Sequence, residues 1–135
     1  MDCIFCQIVA GELPSSKIYE DDELLAFLDI HPVNTGHILL IPKTHSENLL
    51  DTPDEVLAKM SAVSKILARA AVAATKAGGF NLSTNNGRAA GQDVLHLHFH
   101  IIPRHSHDGH KAWSHRDYQE GERERVAEEI KKHLK

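Results

Sequence analysis

Histidine occupies alternate positions in the segment His96-Leu97-His98-Phe99-His100, and this pattern constrains the chain more than any other feature. Successive side chains of a β-strand point to opposite faces. A strand here would place three imidazoles on one face, and Leu97, Phe99 and Ile101 on the other. We therefore predict that the apolar face packs against a long helix and that the imidazoles line an open surface.

A face of three imidazoles has three interpretations. It is a solvated surface, a three-histidine metal site, or a site of nucleophilic catalysis. Imidazole is the commonest metal ligand, but alternate residues on one straight strand are spread along it and rarely converge on one ion. A neutral imidazole can instead attack phosphorus near pH 7, if a hydrogen bond to its other nitrogen fixes the tautomer. Neighbouring histidines and the loop 87–92 could donate hydrogen bonds to a phosphate.

The rest of the chain predicts an α+β fold. Short strands are predicted at residues 18–20, 24–28, 38–41, 80–85 and 94–103. A long helix follows Thr52-Pro53-Asp54-Glu55, a capping box with proline at the first helical position. Its apolar residues recur three and four apart, at positions 56, 60, 63, 67, 70 and 74, until Gly78-Gly79 ends it. A last amphipathic helix covers about residues 120–134. Because helices and strands do not alternate regularly, we expect an antiparallel sheet of about five strands.

Length and charge limit the function further. The chain has 135 residues, 25% charged, and a formal net charge of −4 without a basic face, which argues against binding a nucleic acid backbone. It has no apolar run long enough to span a membrane and no secretory signal at its start. We therefore expect one cytoplasmic domain over residues 1–135.

Cys3 and Cys6 are the only cysteines. Their CxxC spacing is that of half a tetrahedral zinc site, and histidines could supply the other half. A redox pair and two buried thiols are the alternatives. No thioredoxin-like βαβ pattern surrounds the motif, which disfavours the redox pair.

Several motifs together resemble the histidine triad (HIT) family of nucleotide hydrolases and transferases. The resemblance covers about residues 3–118, and 113–118 are similar to the tail of bacterial members. It rests on residues 3–6, 19–22, 26–30, 36–45, 85–87, 91–92, 96–102 and 102–104, in the order of the family. It implies a single HIT domain with its core at about 3–118, and a homodimer whose two sheets continue across the interface.

The resemblance also assigns roles to individual histidines. It implies that His98 is the nucleophile, that His100 binds the phosphate, and that His37 supports the triad. It further implies one structural zinc ion per chain, held by Cys3 and Cys6 and by two histidines. These two histidines are His45 and His96.

The expected nucleotide site has a polar and an apolar part. Asp29 matches the carboxylate that receives the ribose hydroxyls, and Asn85 and Gln92 match polar residues near the phosphate. Backbone N–H groups around Asp93 and Val94 would bind the α-phosphate. The residues matching the apolar base pocket are Ile4, Phe5, Ile8, Phe27, Leu28 and Ile30. Asp93 departs from the family, since many members have serine or threonine there.

The resemblance implies hydrolysis of nucleoside monophosphate conjugates at the α-phosphorus, with adenosine phosphoramidates as the expected substrates. A covalent nucleotidyl-histidine would be the intermediate. The alternatives are a dinucleoside polyphosphate hydrolase, a purine-nucleotide-binding regulatory module with little activity, and a metal-dependent hydrolase that uses all three histidines.

Overall fold

The protein is described by a computed structural model of residues 2–134, so the two end positions of the predicted domain lie outside the described residues. It has the predicted α+β architecture, with a five-stranded antiparallel sheet in the order β1-β2-β3-β5-β4. The strands are β1 (Lys17–Glu20), β2 (Leu24–Leu28), β3 (Ile38–Pro42), β4 (Gly79–Ser83) and β5 (Phe99–Arg104), and the helices are α1 (Ile4–Val9), α2 (Asp54–Thr75) and α3 (Glu122–Lys132).

The sheet is buried on both faces at its centre. Even-numbered residues of β2 and β3 join a core beneath α2, formed with Met60, Val63 and Leu67 of that helix. Odd-numbered residues of the same strands form a second core on the opposite face, around Phe5 of α1. This division follows from the period of two along a strand. It leaves α2 and α1 on opposite sides of the sheet.

The long helix begins and ends differently from the prediction. The predicted capping box is not formed, because the Thr52 hydroxyl makes hydrogen bonds with Ser46 Oγ and with the Asn48 carbonyl, each at 2.7 Å. Pro53 is the N-cap and makes no side-chain cap. At the other end the chain leaves the helix at Lys76, which adopts the left-handed conformation with φ 57°, before the glycines expected to end it. The buried stripe ends at Ala68 and Ala71, so the predicted positions 70 and 74 are exposed.

The predicted strand at 94–103 is shorter than expected. Its regular part begins at Phe99, so His96 and His98 lie in irregular chain just before β5. Phe99 pairs with Leu40 of β3, and continuing that register would pair Leu97 with Pro42. Proline has no N–H to contribute to a ladder. The Leu97 N–H donates instead to the Ser46 carbonyl at 2.8 Å.

The apolar face of the histidine segment is as predicted. Leu97 and Ile101 are fully buried, and Phe99 packs against the same core beneath α2. The imidazole face, however, was wrongly expected to be open. His96 is fully buried and His98 is 3% exposed, because α1 folds over them and Phe5 contacts both rings.

The edges of the fold are exposed. All four residues of β4 after Gly79 are exposed, and α3 carries its apolar residues Val126 and Ile130 on an exposed surface. Within residues 2–134 no helix is both long and apolar enough to cross a membrane.

Candidate active site and metal centre

Three histidines meet where β3 and β5 lie side by side. His37 immediately precedes β3, His100 lies in β5, and His98 comes two residues earlier. His37 Nε2 is 3.0 Å from His100 Nδ1, and the rings of His98 and His100 have centroids 4.9 Å apart. The structure therefore brings together the three residues that the resemblance implies are catalytic.

Backbone hydrogen bonds determine where each of these rings carries its proton. The Val33 N–H donates to His37 Nδ1 at 3.1 Å, so a neutral His37 is protonated on Nε2 and donates to His100 Nδ1. His100 then carries its own proton on Nε2. Among the described residues this Nε2 has no hydrogen-bond partner, although it is buried.

His98 has the opposite tautomer. Its Nδ1 lies 2.7 Å from the backbone carbonyl of His96, and a carbonyl oxygen can only accept. Nδ1 therefore carries the proton, and Nε2 of a neutral His98 holds a free lone pair. The site thus places an unprotonated ring nitrogen beside a ring N–H donor, which is a combination that can attack an electrophile while binding its oxygen.

Burial keeps the neighbouring imidazoles neutral. Desolvation, together with the nearby His98 and His37 rings, lowers the pKa of His100 from its ordinary 6.5 to about 4. The pKa of His37 is also lowered, first by burial, against the opposing charge of Asp29. His37 and His100 are therefore neutral at physiological pH, so that each carries a single ring proton.

Asp29 stands beside this group. One of its oxygens accepts from the His31 N–H at 2.8 Å, and the other is 3.7 Å from His37 Nε2. Asp29, His37 and His100 are close enough to hold a metal ion by distance alone. However, His37 presents a protonated Nε2 that donates to His100 Nδ1, so these two rings form a hydrogen bond and Asp29 is a nearby charge.

A cavity of about 480 Å³ opens in front of His98 and His100. Eight of the ten expected substrate-binding residues line it, namely Ile4, Phe5, Ile8, Phe27, Leu28, Asp29, Ile30 and Val94. The lining also includes Leu13, Pro14, Ser15, His31 and Leu39, which the sequence analysis missed. For Leu39 a signal was available, because it alternates with Leu40 on β3 and so had to face the side opposite α2.

The other two expected residues do not reach the cavity. Gln92 is 2% exposed, and its amide donates to the Glu47 and Val94 carbonyls while accepting from the Gly87 N–H. Its contacts therefore shape the loop that carries Val94. Asn85 is half-buried and directs its Nδ2 towards the Gly91 carbonyl, at 3.5 Å.

A second cluster lies behind the first. Cys3 Sγ is 3.3 Å from His96 Nδ1, and Cys6 Sγ is 3.4 Å from His45 Nδ1. The two imidazole Nδ1 atoms are 3.2 Å apart. His96 Nε2 donates to the Pro42 carbonyl at 2.8 Å, which leaves the lone pair of Nδ1 directed into the cluster. These four side chains could bind a metal ion.

Phe5 connects the two clusters. Its ring meets His96 and His98 edge-on, with centroid distances of 5.8 Å and 5.1 Å. It stands on α1 between Cys3 and Cys6 and also lines the cavity. The metal cluster and one wall of the cavity therefore share a six-residue helix.

Comparison with known proteins identifies the family. The HIT domain family matches residues 10–107, and the chain belongs to this family. Adenylylsulfatase HINT3 of Arabidopsis thaliana is 49% identical over 79% of the chain, and adenosine 5'-monophosphoramidase HNT1 of Saccharomyces cerevisiae is 46% identical over 76%. The matched regions are 54% and 62% of those relatives' own lengths.

Solved structures of the family share the fold. The chain superimposes on the crystal structure of a HIT family member from Bacillus subtilis with a TM-score of 0.91 and 43% identity, covering 100% of this chain and 99% of that one. A zinc-bound histidine triad protein from Mycobacterium smegmatis matches with a TM-score of 0.79 and 42% identity, covering 98% of both chains. The expected HIT fold is confirmed.

Proposed function

We propose that the protein hydrolyses nucleoside monophosphate conjugates at the α-phosphorus, with adenosine phosphoramidates as its substrate class. The observation that carries this proposal is the tautomer of His98. Its Nδ1–H bond to the His96 carbonyl leaves the Nε2 lone pair facing the cavity side of the site. A fixed, neutral imidazole is the form that attacks phosphorus.

The reaction has two displacements. Nε2 of His98 forms a bond to the α-phosphorus, and the bond to the leaving group breaks, its electron pair departing with that group. Water then attacks the nucleotidyl-imidazole and releases the nucleoside monophosphate. His100 donates its free Nε2–H to a phosphate oxygen, where charge develops, and His37 is a positioning residue that keeps this proton on Nε2.

The remaining residues bind the nucleoside part. Asp29 lies at the cavity and can accept hydrogen bonds from both ribose hydroxyls. The base would lie among the apolar residues of α1 and β2. We further propose that backbone N–H groups at Asp93 and Val94 contact the phosphate, and that Asn85 and Gln92 support this loop, in keeping with their contacts to Gly91 and Val94.

The activities of two relatives support the proposal. One is an adenylylsulfatase and the other an adenosine monophosphoramidase, and both names describe cleavage of an adenylyl conjugate. A dinucleoside polyphosphate hydrolase is the competing enzyme, and a binding module without turnover is the competing non-enzyme. An assay of purified protein with a panel of adenylyl conjugates separates the three.

We propose that the metal bound by Cys3, Cys6, His45 and His96 is zinc. A tetrahedral zinc site with ordinary bond lengths separates nitrogen and sulfur ligands by about 3.5 Å and two nitrogens by about 3.3 Å. The corresponding distances here are 3.3–3.6 Å and 3.2 Å. Four protein ligands leave no open position, so the ion would be structural, and bound zinc would hold α1 against the chain that precedes β5.

Assembly and location follow from the same assignment. We propose a homodimer, because β4 is an edge strand whose Phe80 and Leu82 are each 47% exposed. We place the protein in the cytoplasm, where thiols stay reduced and can bind a metal. We also propose that residues 1–135 act as one HIT domain.

The stereochemistry at phosphorus tests the mechanism. Each in-line displacement inverts the phosphorus, so a covalent histidine intermediate predicts overall retention with a chirally labelled phosphorothioate conjugate. Oxygen from labelled water should appear in the nucleoside monophosphate and not in the leaving group. Overall inversion would mean a single attack by water and would remove His98 from the nucleophile's role.

A further inference from the structure

Asp93 lies at the boundary between two cavities. The nucleotide cavity in front of His98 is one, and the other is an open groove of about 770 Å³ on the side of the metal cluster. The two share the lining residues Ile4, Asp93 and Val94. If the nucleoside fills the first cavity, the leaving group attached to the α-phosphorus can extend into the groove.

The carboxylate of Asp93 makes no ion pair among the described residues, and the groove beside it is lined by two further carboxylates, Asp2 and Glu47, and by one cation, Arg88. The side chain is exposed, and within residues 2–134 it has neither a hydrogen bond nor an ion pair with a cationic side chain. It is nevertheless close enough to His100 to act on that ring. Burial lowers the pKa of His100, and the negative charge of Asp93 works in the opposite direction by favouring the cationic ring. The structure thus holds a free negative charge beside the expected phosphate site.

Such a charge discriminates between substrates. It repels the phosphate and repels a leaving group that carries further negative charge, such as sulfate or a second nucleotide. It attracts a leaving group that carries a positive charge. Conjugates share the nucleoside and the phosphate and differ in the charge of the leaving group. Asp93 can therefore discriminate between them only through the leaving group.

We propose that Asp93 is a specificity-determining residue that selects conjugates whose leaving group carries a positively charged amine. The proposal rests on the proposed function and names its substrate class more closely. Asp93 makes and breaks no bond. In the reaction of such a conjugate, the leaving nitrogen keeps the electron pair of the broken P–N bond and takes up one proton from solvent, while the distant ammonium is unchanged.

Three adenosine phosphoramidates test this inference directly. Their leaving groups are five-carbon alkyl amines of matched length that end in an ammonium, a hydroxyl or a carboxylate, so that the leaving nitrogens have similar basicity. For the wild-type protein we expect kcat/KM to fall in that order, by roughly tenfold per step at low ionic strength, as expected for one charge–charge interaction near a protein surface. The spread should shrink at high salt.

Variants assign the selectivity to Asp93. Asp93→Asn and Asp93→Ser should compress the three kcat/KM values to within about threefold of one another, because one charge is removed. Both should also raise kcat/KM for adenylyl sulfate. Glu55→Gln removes the same charge from the exposed start of α2, on the other side of the sheet, and should leave the order and the spread unchanged.

The outcomes distinguish the role of Asp93 from the proposed function. Equal kcat/KM for the three conjugates in the wild type would overturn the role of Asp93 and leave the proposed function standing. An equal loss for all three conjugates in Asp93→Asn would also overturn it, since Asp93 would then act on the histidines. No hydrolysis of any adenylyl conjugate would instead overturn the proposed function itself.

Discussion

At the scale of single residues, the site depends on protons placed by backbone groups. A peptide carbonyl cannot donate, so the His96 and Pro42 carbonyls each fix one ring, and the Val33 N–H fixes a third. As a result His96 turns an unprotonated nitrogen to the cluster of Cys3, Cys6 and His45, and His98 turns one to the cavity. We therefore propose that these two neighbouring histidines of the same motif perform different tasks.

Replacing His98 tests its chemical role. His98→Ala should lower turnover of an adenosine phosphoramidate by roughly 10⁴-fold or more, the usual cost of losing a nucleophile. Nucleotide binding, measured by titration calorimetry, should persist because the cavity wall remains. His133→Ala, at the exposed end of the chain, should keep full activity. Retention of more than a few per cent of turnover by His98→Ala would exclude it as the nucleophile.

At the scale of secondary-structure elements, α1 is the segment that needs most support. A helix of six residues is not stable alone. The burial of Phe5 holds α1 in place, and so would a metal ion bound by Cys3, its N-cap, and by Cys6. Its residues Ile4 and Ile8 form part of the cavity wall. Metal binding should therefore stabilise the fold first and affect turnover through the position of this helix.

Removing the metal tests this dependence. The purified protein should contain about one zinc per chain, because the cluster offers four ligands. Chelation or Cys3→Ser should lower Tm by roughly 10 °C, since a structural metal contributes folding energy, and activity should fall only as the fold loosens. Chelation should have no further effect on Cys3→Ser, which serves as the control. Loss of turnover on chelation with Tm unchanged would point to a catalytic ion instead.

At the scale of the whole molecule, the described sheet ends in two edge strands, β1 and β4. β4 pairs with β5 on one side only, and unpaired strand edges recruit further strands. Phe80 and Leu82 add an apolar surface at this edge. We propose that a second copy continues the sheet on this surface.

Charge at this edge should separate the proposed dimer. Phe80→Glu and Leu82→Glu should each shift the species seen by sedimentation velocity from dimer to monomer, because a buried unpaired charge opposes association. Leu50→Glu changes a residue that is 90% exposed elsewhere on the chain and should leave the dimer intact. A wild-type protein that sediments as a monomer at high concentration would refute the dimer, and unchanged dimers in both variants would place its interface elsewhere.

Local patterns in the sequence were sufficient to predict the sheet, the long helix and the apolar side of the histidine segment. Each depends on a period of two or about 3.6 residues, which the order of residues determines directly. The CxxC spacing indicated half of a metal site because both cysteine ligands lie in one short segment of the chain. The motif order added the expected partners His45 and His96, which the structure brings to those cysteines.

Tertiary contacts decided what the local patterns could not. Thr52 has the sequence of a helix cap, but Ser46 and Asn48 offer its hydroxyl other partners. His98 is buried because α1, more than eighty residues earlier, folds over it, and its tautomer is set by a carbonyl whose orientation no periodicity encodes. Burial and proton position depend on groups brought together only by folding, so the sequence determined which residues form the site and the tertiary structure decided the state in which they meet a substrate.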